Sequence, residues 1–179
     1  IGRLTRPMDA VLQEIPGRRR YHDLGGDHPT TSQTAPGVIA YRVYAPLFFA
    51  NAEWFVGRVR SLIDRSVAPT RCFVLDAQAI SEFDSTAADA LVRVAHDLSH
   101  RGISFRIARA NRPLREMFPR TGVLAIVGED ALFPSVHAAV HDFLGLPPDA
   151  PSPETSAPDH APLSPPPSAS PPASSIDGG

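Results

Sequence analysis

Pro147 divides this chain. Up to Leu146, apolar segments alternate with polar breakers. From Pro147 onward proline, serine and alanine dominate, as in Pro147-Pro148-Asp149-Ala150-Pro151-Ser152-Pro153 and Pro165-Pro166-Pro167-Ser168-Ala169-Ser170-Pro171-Pro172. Such a composition cannot bury enough apolar surface to offset the entropy of ordering it, so residues 147–179 are expected to form a disordered tail. The PxxP match Pro162-Leu163-Ser164-Pro165 is what so many prolines produce by chance. At the other end, residues 1–35 read as a linker. Pro7, Pro16, the solvated run Arg18-Arg19-Arg20 and Gly25-Gly26-Asp27-His28-Pro29 are loop chemistry, with room for one or two helical turns between Asp9 and Ile15. What remains, 36–146, is one domain of ordinary size, large enough for a core without staples.

Within that span the periodicity switches repeatedly between two and 3.6. Val38 to Tyr44 alternates as a half-buried strand, and Leu47-Phe48-Phe49, apolar on both sides, reads as a second and central strand after the Pro46 break. Asn51 is placed to cap a helix whose apolar stripe is Ala52, Phe55, Val56, Val59, Leu62 and Ile63, with Trp54 beside it; Phe55 and Val59 are expected in the core. Cys72-Phe73-Val74-Leu75 is a buried strand ending at Asp76. Asp84 and Ser85 open a helix carrying Ala88, Leu91, Val92, Ala95 and Leu98 inward, with Gly102 as its stop. Ser104–Ala108 is the next strand, Arg112-Pro113-Leu114 begins a short helix ended by Gly122, Leu124–Val127 reads as a last strand, and Val136, Ala139, Val140, Phe143 and Leu144 mark the last helix. The order β-β-α-β-α-β-α-β-α implies an α/β domain, a mostly parallel mixed sheet packed by helices through right-handed crossovers.

Bulk properties exclude several functions. The net charge of −2 leaves no electrostatic footprint for nucleic acid. A single cysteine, Cys72, allows no disulfide within the chain, and its place inside a strand makes it inert. No run approaches the roughly 20 apolar residues of a membrane span. No signal peptide is visible, and a chain opening on Ile1 reads as a piece of a longer protein. Nothing resembles a nucleophile elbow, a phosphate-binding glycine loop or a Cys-x-x-Cys pair, so no catalytic constellation is expected.

Three groups of side chains could carry function. Asp84-Ser85-Thr86 sits where a strand feeds a helix. Asp84 can cap the helix, and the hydroxyls of Ser85 and Thr86 lie at the terminus where orphan N–H groups and the helix dipole favour an anion, so a phosphate there would be stabilised locally. The plainer role for this segment is capping alone. Arg106, Arg109, Arg112 and Arg115 cluster in the strand-to-helix segment beside that loop, as a solvated rim or as a contact for an anion, a nucleotide or a headgroup. Two histidine pairs, His96/His100 and His137/His141, have the i, i+4 spacing of zinc ligands, but they project away from the apolar stripes, and two ligands do not complete a zinc site; no metal is assigned.

Pro36-Gly37-Val38-Ile39-Ala40-Tyr41-Arg42, Ala45-Pro46-Leu47-Phe48-Phe49-Ala50-Asn51-Ala52-Glu53 and the segment from Asp84 to Leu91, in this order and at this separation, resemble the STAS domain, specifically the C-terminal cytoplasmic domain of SulP-type anion transporters. Ile1-Gly2-Arg3-Leu4 looks like the exit linker of the SulP membrane domain. The resemblance implies a non-catalytic regulatory and docking module of a transporter of sulfate or a related anion. It also implies a place on the cytoplasmic face of the plasma membrane, no cofactor, the membrane domain of the same transporter as partner, homodimerisation in the full-length protein, and a regulatory protein or nucleotide at the switch loop. Bacterial anti-sigma-factor antagonists share the fold and are switched by phosphorylation of a serine in this loop. The resemblance carries that role to Ser85, with Thr86 as neighbour and Asp84 as the loop's cap, although Ala87 stands where those antagonists usually have glycine. A stand-alone antagonist or a nucleotide-binding regulatory module is the alternative.

Overall fold

The computed structural model describes residues 5–15, 20–23, 33–81 and 83–148. A six-stranded sheet runs in the order β2-β1-β3-β4-β5-β6, with β1 Asp9–Glu14, β2 Tyr21–Asp23, β3 Val38–Val43, β4 Cys72–Asp76, β5 Ser104–Ala108 and β6 Leu132–Phe133. β3, β4, β5 and β6 are parallel, in a register that sets Arg42 beside Asp76 and Asp76 beside Ala108. β1 joins β3 antiparallel and pairs β2 antiparallel. The helices are α1 Ala52–Asp64, α2 Ser85–His100, α3 Arg112–Thr121, α4 Val123–Val127 and α5 Val136–Leu144, with a 3₁₀ turn at Glu129–Ala131.

The two sheet faces carry different covers because each parallel strand is apolar on both sides. Ile39, Tyr41, Val43, Phe73, Leu75, Phe105 and Ile107 face one way and pack against α1 to α4; Phe55 and Val59 are buried there, and Trp54 packs half-buried at the margin. Val38, Ala40, Cys72, Val74 and Ala108 face the other way, against Val136, Ala139 and Val140 of α5. β1 keeps the same alternation. Ala10 and Leu12 turn toward the α5 side, and Asp9 turns toward α1, where it accepts from Arg58 Nε at 2.5 Å. Gly37, at φ +77°, makes the turn into β3, and its N–H donates to the buried Gln33 side chain at 2.8 Å.

Four segments differ from the sequence reading. Asp9–Glu14 is a strand rather than helical turns, and with Tyr21–Asp23 it places two strands of the sheet inside the stretch 1–35 read as linker. Charged Asp9 and Glu14 at the ends of a short alternating run obscure its period. Leu47-Phe48-Phe49 is not a central strand: Leu47 makes one parallel bridge to Phe83, and Phe49 is 71% exposed. Leu124–Val127 is helical, because four apolar residues do not distinguish the two periods. The glycines on either side, Gly122 at φ +78° and Gly128 at φ +84°, close that helix off, and the edge strand comes later, at Leu132–Phe133. The expected tail falls almost wholly outside the described residues, which end at Pro148.

Candidate functional site

The carboxyl ends of β3, β4 and β5 release three loops side by side, and polar side chains hold them in place. Asn51 occupies the position before α1 but does not cap it. Fully buried, it turns back into its own loop, where Oδ1 accepts from Phe48 N–H at 3.0 Å and Nδ2 donates to Pro46 C=O at 2.9 Å. Asp84 caps α2 with one oxygen, accepting from Ala87 N–H at 2.8 Å. With the other it accepts from Phe49 N–H at 2.9 Å, binding the α2 terminus to the neighbouring loop. Asn111 repeats the device at α3: it accepts from Leu114 N–H and donates to Ile80 C=O.

Beneath these loops Asp76 is fully buried. It accepts from Arg42 Nε at 2.7 Å and from Arg109 Nε at 2.9 Å, with a second Arg109 contact to its other oxygen, and Gln78 N–H reaches it at 3.2 Å. Arg109 makes this fork from a left-handed backbone, φ +57°, while its own N–H donates to Phe133 C=O. A buried carboxylate held by two guanidinium groups joins the ends of three strands.

The arginines therefore do not form one cluster. Arg109 is committed to Asp76, and Arg112 pairs with Glu116 one turn along an exposed face. Arg115 is exposed on α3. Arg106 lies on the opposite sheet face, donating to Ala139 C=O at 3.0 Å and pairing with Asp142. β-strand alternation separates Arg106 from Arg109's surroundings, a consequence of period two that simple proximity in sequence hides. Ser85 and Thr86 are exposed on the first turn of α2. Beside them the same end presents Phe49 and, at the start of β1, Met8, 76% exposed; Tyr44, whose N–H donates to Met8 C=O, is also exposed.

The histidine pairs separate as well. His96 and His100 are exposed on α2. His137 and His141 are buried, contrary to the expectation that all four project outward, because α5 is covered on that side by the β1–β2 hairpin that the sequence reading lacked. Cys72 is buried in β4, where burial pushes its thiol up to about 12, so it stays protonated and inert. Among the described residues no helix is long and apolar enough to cross a membrane.

Comparison with known proteins bears on the family. The STAS domain family model matches residues 30–139. The probable sulfate transporter of Mycobacterium tuberculosis strain H37Rv is 39% identical over 141 residues, which cover 79% of this chain and 25% of that protein. The chain thus spans about a quarter of the length of this relative. Among solved structures, the murine solute carrier 26 family member A9 anion transporter in the inward-facing state superposes with a TM-score of 0.68 at 20% identity, covering 80% of this chain and 23% of that one. The unphosphorylated anti-sigma factor antagonist SpoIIAA superposes with a TM-score of 0.53 at 11% identity, covering 64% and 95%. The last two likenesses speak to the fold, a six-stranded mixed sheet with helices on both faces. With the family model matching more than half of its length, the chain belongs to the STAS domain family and is related to SulP sulfate transporters.

Proposed function

We propose that this chain is the non-catalytic docking and regulatory domain of a SulP-type transporter of sulfate or a related anion. It sits on the cytoplasmic face of the plasma membrane, with the membrane domain of the same polypeptide as its partner and a homodimer as the working assembly. The observation that carries this reading is the 39% identity to a probable sulfate transporter four-fifths of the way along this chain, within a relative of which the match is only 25%. The likeness to SpoIIAA, at 11% identity, supports a shared fold and favours no antagonist function.

The docking face is the carboxyl end of the parallel strands. Ser85 and Thr86 stand exposed there with the apolar side chains of Met8 and Phe49 and with Tyr44, whose hydroxyl accepts from Arg42, and Thr5 to Met8 enter the sheet at this same end. A negative charge at Ser85 would sit on the helix N-terminus, which tolerates it, and would change what can dock. The test is anion uptake by the full-length transporter carrying Ser85→Glu, measured alongside its expression. A several-fold change in uptake at normal expression is expected. Unchanged uptake would leave the segment as a helix cap alone.

A further inference from the structure

Under α5 lies a group of side chains that the docking face does not use. Glu14, on the α5 side of β1, meets His137 and His141, one turn apart on α5, and one coordinating atom from each of the three lies within 4.8 Å of the others. The histidine rings stack with centroids 3.8 Å apart. Tyr21, opposite Glu14 in the hairpin register, closes the side with its ring 6.3 Å from that of His137.

The hydrogen bonds of the two rings fix their tautomers. His137 Nε2 lies 2.8 Å from Pro148 C=O, and His141 Nδ1 lies 2.9 Å from Pro147 C=O. A carbonyl can only accept, so both of these nitrogens carry hydrogen. In the neutral rings the basic nitrogens are then Nδ1 of His137 and Nε2 of His141. His137 Nδ1 is buried with no hydrogen-bond partner, 3.8 Å from Glu14 Oε1. Two neighbouring imidazoles each donating to a backbone carbonyl, with His137 Nδ1 turned toward a carboxylate, is the arrangement that outer-shell carbonyls impose on metal-ligating histidines.

We propose that Glu14, His137 and His141 form a site for a borderline divalent cation, best met by Zn²⁺, with water as the fourth ligand. Tetrahedral zinc with ligands at about 2.0–2.1 Å wants them roughly 3.4 Å apart, so the three coordinating atoms, now within 4.8 Å of one another and 3.8 Å apart for His137 and Glu14, must draw together by side-chain rotation. Glu14, at the partly open edge of the site, is the entry point. The bound ion clips the N-terminal hairpin to the last helix and, through Pro147 and Pro148, to the point where the chain leaves the domain.

The test uses the whole chain, stripped with a chelator and titrated with Zn²⁺ by calorimetry and, separately, with Co²⁺ by visible absorption. One equivalent per chain should bind and raise the unfolding midpoint. Glu14→Gln, which keeps the shape of the side chain, should weaken binding by more than the about 10–100-fold that loss of an outer-shell partner produces. The double change His96→Ala/His100→Ala should leave affinity unchanged. On the unaltered chain, Zn²⁺ should shift the ring-nitrogen resonances of His137 and His141 and no other histidine. Absence of binding, binding that survives Glu14→Gln, or shifts at His96 and His100 instead would each overturn the assignment.

Discussion

The carboxyl end of the parallel strands and the underside of α5 spend their polar groups in opposite ways. At the strand ends every bracing side chain is used to the full: Asn51 works through both its oxygen and its nitrogen, Asp84 through both oxygens, and Asp76 is shared by two arginines. What that end leaves over is exposed and simple, a pair of hydroxyls and the apolar side chains of Met8 and Phe49. Beneath α5 the outer surface is closed, and a buried imidazole nitrogen is left over instead. A rigid frame with exposed, uncommitted groups suits reversible docking. A buried group with unspent coordinating capacity suits a small ligand that stays. The lesson is that a functional surface is found by asking what remains after local structure has taken its hydrogen bonds.

The frame can be broken at its centre. Asp76→Ala leaves Arg42 and Arg109 facing each other across an empty site, and removal of one partner from a buried ion pair costs about 3–5 kcal/mol. Both arginines are partly open to water, so the lower end, about 3 kcal/mol, is expected in chemical denaturation. A near-neutral result would show that the strand ends are held by packing alone, and the contrast between the two regions would lose its first half. Asn51→Ala tests the same frame one layer out. It strips partners from Phe48 N–H and Pro46 C=O, and a loss of about 2 kcal/mol is expected where buried backbone groups are left unsatisfied. The measurement is the denaturant midpoint at unchanged slope.

How far the sequence reaches follows from these same residues. The stripes of α1 and α2 were legible because ten or more residues at period 3.6 leave one face, and Phe55, Val59, Leu91 and Leu98 are buried accordingly. Asp84 was legible as a cap because its role is local. Asn51 was not, since the same residue type at the same position can cap forward or brace backward, and only the path of the Pro46 loop decides. Leu47–Phe49 and Leu124–Val127 are too short to carry a period. Asp76 offered a weak signal, an acid closing an otherwise apolar strand, but its partners come from strands 33 and 34 residues away. The Glu14–His137–His141 group was hidden for a related reason. The i, i+4 spacing was visible, but the third member lies on a strand that reads as linker, so both the burial of the pair and its completion depended on a pairing that only the folded sheet supplies.

Smaller effects sharpen the comparison at the loop that opens α2. Asp84→Ala removes the α2 cap and the tie to Phe49 N–H together. Loss of an N-cap costs about 0.5–2 kcal/mol, and the extra bond to the neighbouring loop puts the expected value near the top of that range. Asp84→Asn keeps an oxygen acceptor for Ala87 N–H but sets an amide donor against Phe49 N–H, so it should recover only the capping part. If both changes cost the same, the tie to Phe49 N–H or the carboxylate charge rather than the cap holds the loop, and thermal midpoints in low and high salt separate the two.

The smallest stability effect should come from the residue with the largest functional one. Ser85 stands at the first helical position of α2, exposed, with Asp84 already serving the cap. Ser85→Glu adds a carboxylate near the helix N-terminus, where a negative charge gains about 0.3–1 kcal/mol from the dipole and the free N–H groups. Asp84 beside it repels the new charge and offsets part of that gain, so a net change within about 0.5 kcal/mol is expected, as for surface substitutions generally. The unfolding midpoint of this chain measures it, and it must be set beside uptake by the transporter carrying the same change. A stable domain with altered uptake places the effect on a docking surface. A loss of more than about 2 kcal/mol, outside the range for an exposed position, would mean that Ser85 packs against something in the folded protein, and the loop would belong with the frame rather than with the groups left free to dock.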